Sequence, residues 1–263
     1  MSEFVVIALI ISGLLVGFIN TLAGGGTIIS LSLLLFLGLP APVANGTNRV
    51  AVLFQNMVAV RNFKKSGMLT SAKGLWLGIP TVIGSLLGAK IAVNLQQDLI
   101  EKAIAIVMII MLVFIIAKPQ KWLRGNELLF NKPINWKTYI LFFLVGLYGG
   151  FIHVGVGYFL LAALVLNCGY DLVKANAVKN LLVLLYVPFT LVVFVWQDQV
   201  IWKYGLIHAI GNVIGAWIAS KYAVKWGTGF VRWIIVVVII ISVADLLNVI
   251  NIKNVIQYLM TNG

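Results

Sequence analysis

Two glycine clusters set the chemistry that this chain could do. One reads Gly24-Gly25-Gly26-Thr27 and the other Gly155-Val156-Gly157, each just ahead of a short apolar stretch. Glycine costs a helix about 1 kcal/mol relative to alanine, so a helix entering either cluster should stop and a new one begin beyond it. In lipid the freed backbone groups must find partners, and such breaks are tolerated where backbone lines a cavity. Amides at the start of the following helix converge on one spot, with the positive end of the helix dipole behind them. That arrangement favours an anion. The alternative is that these glycines only let helices pack closely.

Further along each half come Ala44-Asn45-Gly46-Thr47-Asn48-Arg49 and Ala175-Asn176-Ala177-Val178-Lys179-Asn180. Arg49 and Lys179 fall just inside long apolar runs, where a buried cation marks a ligand path or a paired acid; snorkelling to a headgroup is the competing reading. Asn45, Thr47 and Asn176 are of the types that cap helix starts, and with Asn48 they could also hydrogen-bond an oxyanion. His153 stands before the second break in register with Asn20, and could carry a coupling proton at physiological pH. Nothing resembles a phosphate-binding loop, a metal-ligand set or a nucleophile with its base. Neither enzyme activity nor a cofactor is therefore expected.

The elements that must position these residues are membrane helices. The 263-residue chain is 62% apolar and 10% charged, which does not suit a soluble domain. Apolar stretches run at 4–22, 27–39, 43–62, 70–93, 99–117, 138–153, 157–169, 175–197, 201–224 and 230–250. Spanning takes ~20 residues, so 27–39 and 157–169 are too short to cross comfortably. Segment 4–22 is expected to be a mature helix: Glu3 stands where a signal peptide would carry a basic residue.

The chain also repeats itself. Gly17-Phe18-Ile19-Asn20 returns as Gly150-Phe151-Ile152-His153, and from Gly24 on Gly155 the copies align without a gap. Matches include Gly26 with Gly157, Gly38 with Gly169, Asn45 with Asn176, Gly74 with Gly205, Gly84 with Gly215 and Lys90 with Lys221. The reading is a first repeat at 1–117, a connection at 118–137 and a second repeat at 138–263. Basic residues in short loops mark the cytoplasmic side. In the first copy they follow the third segment (Arg61, Lys64, Lys65, Lys73); in the second they flank the fourth loop (Lys221, Lys225, Arg232). The connection carries Lys118, Lys121, Arg124, Lys132 and Lys137. This predicts an all-α polytopic bundle of two inverted-topology repeats, in the inner membrane, with both termini outside. A net charge of +12 then reflects topology and anionic lipid rather than a nucleic-acid partner.

Gly13, Gly17, Gly74, Gly78, Gly84 and Gly88 are spaced for helix packing. His208 and Asn212 lie one turn apart and could form a polar seam, Asp245 is an acid in an apolar run, and Cys168, the single cysteine, reads as packing. Trp and Tyr at 136, 139, 196, 202, 204, 222, 226 and 233 form an expected interfacial belt.

The Gly-Phe-Ile-Asn opening, the Gly24–Gly26 run, Ala44-Asn45-Gly46-Thr47-Asn48 and the repeated second half resemble the TauE/SafE-type sulfite exporter family of bacterial membrane proteins. The resemblance covers essentially the whole chain. It implies export of a small sulfur-containing anion such as sulfite or a sulfonate, driven by an ion gradient. Val178-Lys179 departs from the family's pattern, where a Thr-Ser pair is expected, and so does the thinned Gly-Val-Gly. The expected site is a midplane cavity where both glycine breaks meet the starts at 44–49 and 175–180. A passive anion channel and a non-transport membrane subunit are the alternatives. The sequence is silent on coupling ion, transport direction and oligomeric state.

Overall fold

The computed structural model describes residues 1–69, 73–116, 126–222, 240–241 and 243–245. Its helices are α1 Glu3–Leu22, α2 Thr27–Phe36, α3 Ala41–Lys65, α4 Lys73–Asn94, α5 Gln97–Ile116, α6 Glu127–Phe130, α7 Trp136–Phe151, α8 Val156–Cys168, α9 Leu172–Trp196 and α10 Trp202–Tyr222. No strand occurs among the described residues. The expected span at 230–250 lies almost wholly outside them. So do Lys118, Lys121, Arg124, Lys225, Trp226, Arg232, Trp233 and the side chain of Tyr222.

Two helix starts differ from expectation. α3 begins at Ala41, because Pro40 and Pro42 pre-set the backbone of a first turn. α9 begins at Leu172, because the Asp171 carboxylate accepts from the amides of Val173 and Lys174. Asn45, Thr47 and Asn176 therefore sit inside these helices and do not cap them. The second segment also ends early, at Phe36, where Gly38 (φ 85°) turns the chain.

Helix direction follows from which residues touch. Gly13 and Gly17 of α1 abut His208 and Asn212 of α10, while Gly211 and Gly215 abut Leu14 and Phe18. The two helices rise together. Asn62 of α3 bonds Ser220 of α10 at 2.8 Å, and Gly205 packs on Val50, so α3 joins them in parallel. Gly84 and Gly88 of α4 meet Phe143 and Leu147 of α7, and Gly74 and Gly78 meet Val178 and Leu185 of α9, again in parallel. Between the sets the sense is opposite: Gly46 of α3 packs on Phe194 of α9, whereas Ala59 and Phe63 pack on Ala177. Thus α1, α3 and α10 run one way and α4, α7 and α9 the other. The six interval glycines all face a partner helix, as small residues do where membrane helices pack closely.

The short helices turn back. Gly26 lies against Val16 and Asn20, while Ser30 shares His208 with Leu9, so α2 returns along α1. Val156 meets Gly149, and Phe159 meets Tyr148 ring to ring, so α8 returns along α7. His208 carries the expected seam: its ring bonds Leu9 O at 2.9 Å and Ser30 Oγ at 2.8 Å, and Asn212 donates to His208 O. α1, α4 and α9 are long and apolar enough to cross a membrane by length and composition. Outward-facing Leu75, Trp76, Ile79 and Ile83 give α4 a lipid-facing stripe.

Directions also sort the charges. Arg61, Lys64, Lys65, Lys73, Lys132, Lys137, Lys174 and Lys221 gather at one end of the bundle; Glu3, Asp98, Glu101 and Asp198 gather at the other, with Lys90, Lys102 and Lys203. Ser66 and Asp98 are both exposed and mark the two ends. In a Cys168→Ser background, Ser66→Cys should react with an impermeant maleimide only from the cytoplasm and Asp98→Cys only from outside. Labelling of either from the wrong face would overturn this orientation.

Candidate functional site

The broken helices meet. Gly24 has φ 84° and Gly155 φ 67°, a left-handed backbone that glycine adopts without strain. A Cβ at Gly24 would lie 2.5 Å from the Cα of Gly157, so only two glycines let these chains touch. Beside the contact opens a cleft with about 240 Å³ of empty space, mouth included. At its core there is room for about one water. Asn20, Gly24 and Thr27 line it from the first break, His153, Val156 and Gly157 from the second, and Gln55, Asn56, Lys179, Asn180 and Val183 from α3 and α9.

Its polar groups are ordered by one another. Asn20 Nδ2 donates to Thr27 Oγ1 at 3.0 Å and to Gln55 Oε1 at 3.4 Å, while Asn20 Oδ1 receives the Thr27 amide at 3.3 Å. Asn20 therefore caps α2 and leaves less of that helix's N-terminus free than the glycine run suggests. Asn56 donates to Val52 O, and its buried Oδ1 has no hydrogen-bond partner among the described residues. His153 bonds the Tyr186 hydroxyl through Nδ1 at 2.9 Å.

Lys179 is 2% exposed and meets no carboxylate among the described residues. Its three N–H groups go to Asn20 O at 2.6 Å, Asn176 Oδ1 at 3.0 Å and Thr21 O at 3.2 Å. An ammonium has three donors, so all are used. Two of its acceptors are carbonyls that end α1. The last carbonyls of a helix have no partner within it and form the negative end of its dipole.

Arg49 does the same for the other half. Nη2 donates to Gly150 O at 2.6 Å, and Nη1 to Thr190 Oγ1 at 2.9 Å and Gly149 O at 3.3 Å. Asn45 Oδ1 braces the guanidinium at 3.5 Å, and Asn45 Nδ2 donates to Phe151 O at 2.8 Å. With Ile152 N on Tyr148 O, all four closing carbonyls of α7 are satisfied. The face of Phe194, 4.5 Å from the guanidinium carbon, completes the seat.

Of the residues singled out from the sequence, Gly24, Thr27, His153, Gly157 and Lys179 share the cleft. Asn176 stands behind it, holding Lys179. Gly25 packs on the Tyr158 ring, Gly26 on Val16 and Gly155 on Met111. Arg49 and Asn45 cap α7, and Thr47 Oγ1 accepts from the Ile201 amide at the entry to α10. Asn48 is buried, with an Oδ1 that has no partner among the described residues. Sequence reasoning passed over Gln55, Asn56 and Asn180. The signal was there: each is polar inside an apolar spanning helix, as Arg49 is.

A family profile described as sulfite exporter TauE/SafE matches residues 9–246. The chain belongs to the TauE/SafE family. Among its relatives, a probable membrane transporter protein from a Sinorhizobium species (ORF9) is 27% identical over 235 residues, 88% of this chain and 87% of that one. The probable membrane transporter protein YfcA of Escherichia coli K12 is 26% identical, over 89% and 86% of the two chains. A Haemophilus influenzae relative, also named as a probable membrane transporter protein, is 24% identical over 86% and 88%. No solved structure matches. This TauE/SafE protein is thus a multi-pass membrane protein of a transporter family.

The two cations of this TauE/SafE chain carry different structural loads. Arg49→Met strands the carbonyls of Gly149 and Gly150, at about 1–3 kcal/mol for each buried group left unsatisfied. Lys179→Met leaves Thr21 O with Asn180, and Asn20 O with the Gly24 amide at 3.0 Å. Thermal unfolding in detergent should therefore show the larger fall in midpoint for Arg49→Met. An equal or reversed order would refute the capping account.

Proposed function

We propose that this protein is a secondary-active exporter of a small sulfur oxyanion, sulfite or an organosulfonate. Its two repeats, 1–117 and 138–263 with a cytoplasmic connection at 118–137, are inverted, and they sit in the inner membrane with both termini outside. The opposed course of α1 and α7, α3 and α9, and α4 and α10 supports the inversion. The gathering of basic residues at one end supports the orientation.

One observation carries the functional reading. Two glycine breaks, one from each half, meet at a buried cleft whose single lysine has no counter-acid among the described residues. The ammonium is held by neutral carbonyl and amide oxygens, so no carboxylate among the described residues competes with an anion for it, and in a low-dielectric setting charge–charge attraction is strong. Gln55, Asn56 and the Gly157 amide offer N–H groups around it. With room for about one water, the cleft has the dimensions of a contracted state. An oxyanion would enter by parting the walls that Gly24 and Gly157 bring together. Arg49 supports the second break from behind, and His153 lines the cleft as the candidate carrier of a coupling proton.

The test is flux. Purified protein in liposomes should move sulfite saturably, faster with a proton gradient, with thiosulfate and sulfonates competing. Lys179→Ala should abolish transport in protein that still folds. Flux that does not saturate would mean a channel. No movement of any of these anions would remove the substrate class.

A further inference from the structure

We propose that the basic end of the bundle holds the phosphate of an anionic phospholipid, in a pocket between the start of α4, the α6–α7 connection and the end of α8. The pocket encloses about 450 Å³ of empty space, mouth included, and is separate from the central cleft. Lys73 and Lys132 supply its charge, Asn135, Thr138 and Asn167 its polar rim, and Leu77, Leu129, Pro133 and Ile134 its apolar walls. That mixture suits a molecule with an anionic head and a greasy continuation.

The lysine at its wall is ordered. Lys73 Nζ donates to the carbonyl oxygens of Phe130 and Lys132, the latter at 2.7 Å, and lies over the Phe130 ring. Carbonyl and aromatic partners hold the Lys73 ammonium at the pocket wall. Of the two acids nearby, Asp171 is occupied: its Oδ1 caps α9 and its Oδ2 pairs with Lys174 at 3.4 Å. Glu127 is exposed on α6. Lys137 adds further positive charge, so with Lys73 and Lys132 against Glu127 the neighbourhood stays basic.

Depth in the membrane chooses between a lipid and a soluble anion. Thr138 lies on α7, whose Trp136, Tyr139, Ile140 and Leu144 are exposed side chains. Trp and Tyr followed by aliphatic residues mark the passage from headgroups to hydrocarbon. Basic pockets between helices at this level bind anionic headgroups.

The only cysteine of the chain is a built-in reporter, because Cys168 lines this pocket. Its modification by neutral N-ethylmaleimide should be slower in nanodiscs containing phosphatidylglycerol than in phosphatidylcholine alone. Lys132 is exposed, so Lys132→Gln should fold; losing its charge should raise the phosphatidylglycerol content for half-protection about fivefold. Ser66→Cys in a Cys168→Ser background, at the same end but away from the pocket, should label equally in both lipids. Equal Cys168 rates in the two lipids, slowing of both reporters alike, or a Lys132→Gln titration matching wild type would each overturn the proposal. Protection by inorganic phosphate in pure phosphatidylcholine would overturn it in favour of a soluble anion.

Discussion

A helix that stops inside lipid must dispose of its last carbonyls, and here a cation from the opposite half takes them. Arg49 of α3 closes α7, and Lys179 of α9 closes α1. Both cations are buried without a carboxylate among the described residues. Removal from water is costly for a lone charge, and the negative ends of two broken helices are what make it tolerable. Hydrogen bonds to charged groups contribute about 1.5–3 kcal/mol each, against about 1 for neutral ones. Breaking both helices therefore requires both cations, and the cations require the breaks.

The rest of the architecture follows from this exchange. Because each cap crosses between halves, the halves interlock, and their glycine breaks are drawn into contact at Gly24 and Gly157. The paired helices α1 with α10 and α4 with α7 approach closely enough for glycines to face backbone carbonyls, which keeps the outer frame rigid. The short returning helices α2 and α8 pack inside this frame, and their starts line the cleft. The two caps are not equal. Arg49 is seated among four acceptors and an aromatic face away from the cleft, whereas Lys179 faces the cleft itself. The first fits a fixed strut, the second a group that can exchange a carbonyl for a ligand.

Much of this was legible in the sequence, and the misses have physical causes. Hydropathy placed nine of the described helices because burial in lipid is a local property of each segment, and the glycine clusters marked the breaks for the same reason. The starts at Ala41 and Leu172 were missed because the apolar periodicity begins later than the Pro40 and Asp171 signals that open the helices. The role of Arg49 was not legible, since its acceptors lie 100 and 101 residues away in sequence. Sequence reasoning offered it a ligand, an acid or a lipid headgroup, and a helix end in the other half was not among the choices. Gln55 and Asn56 were legible by the rule applied to Arg49, but their neighbours gave no glycine or charge to draw attention to them.

The claim on which the functional account rests is that Lys179 is the anion's anchor and not only a cap. Equilibrium binding of radiolabelled sulfite to purified protein, compared between wild type and Lys179→Gln, addresses it without the complications of flux. The account predicts one saturable site in wild type, lost in Lys179→Gln while the unfolding transition remains cooperative. Undiminished sulfite binding by a folded Lys179→Gln protein would contradict it, and would leave Lys179 as a helix cap alone.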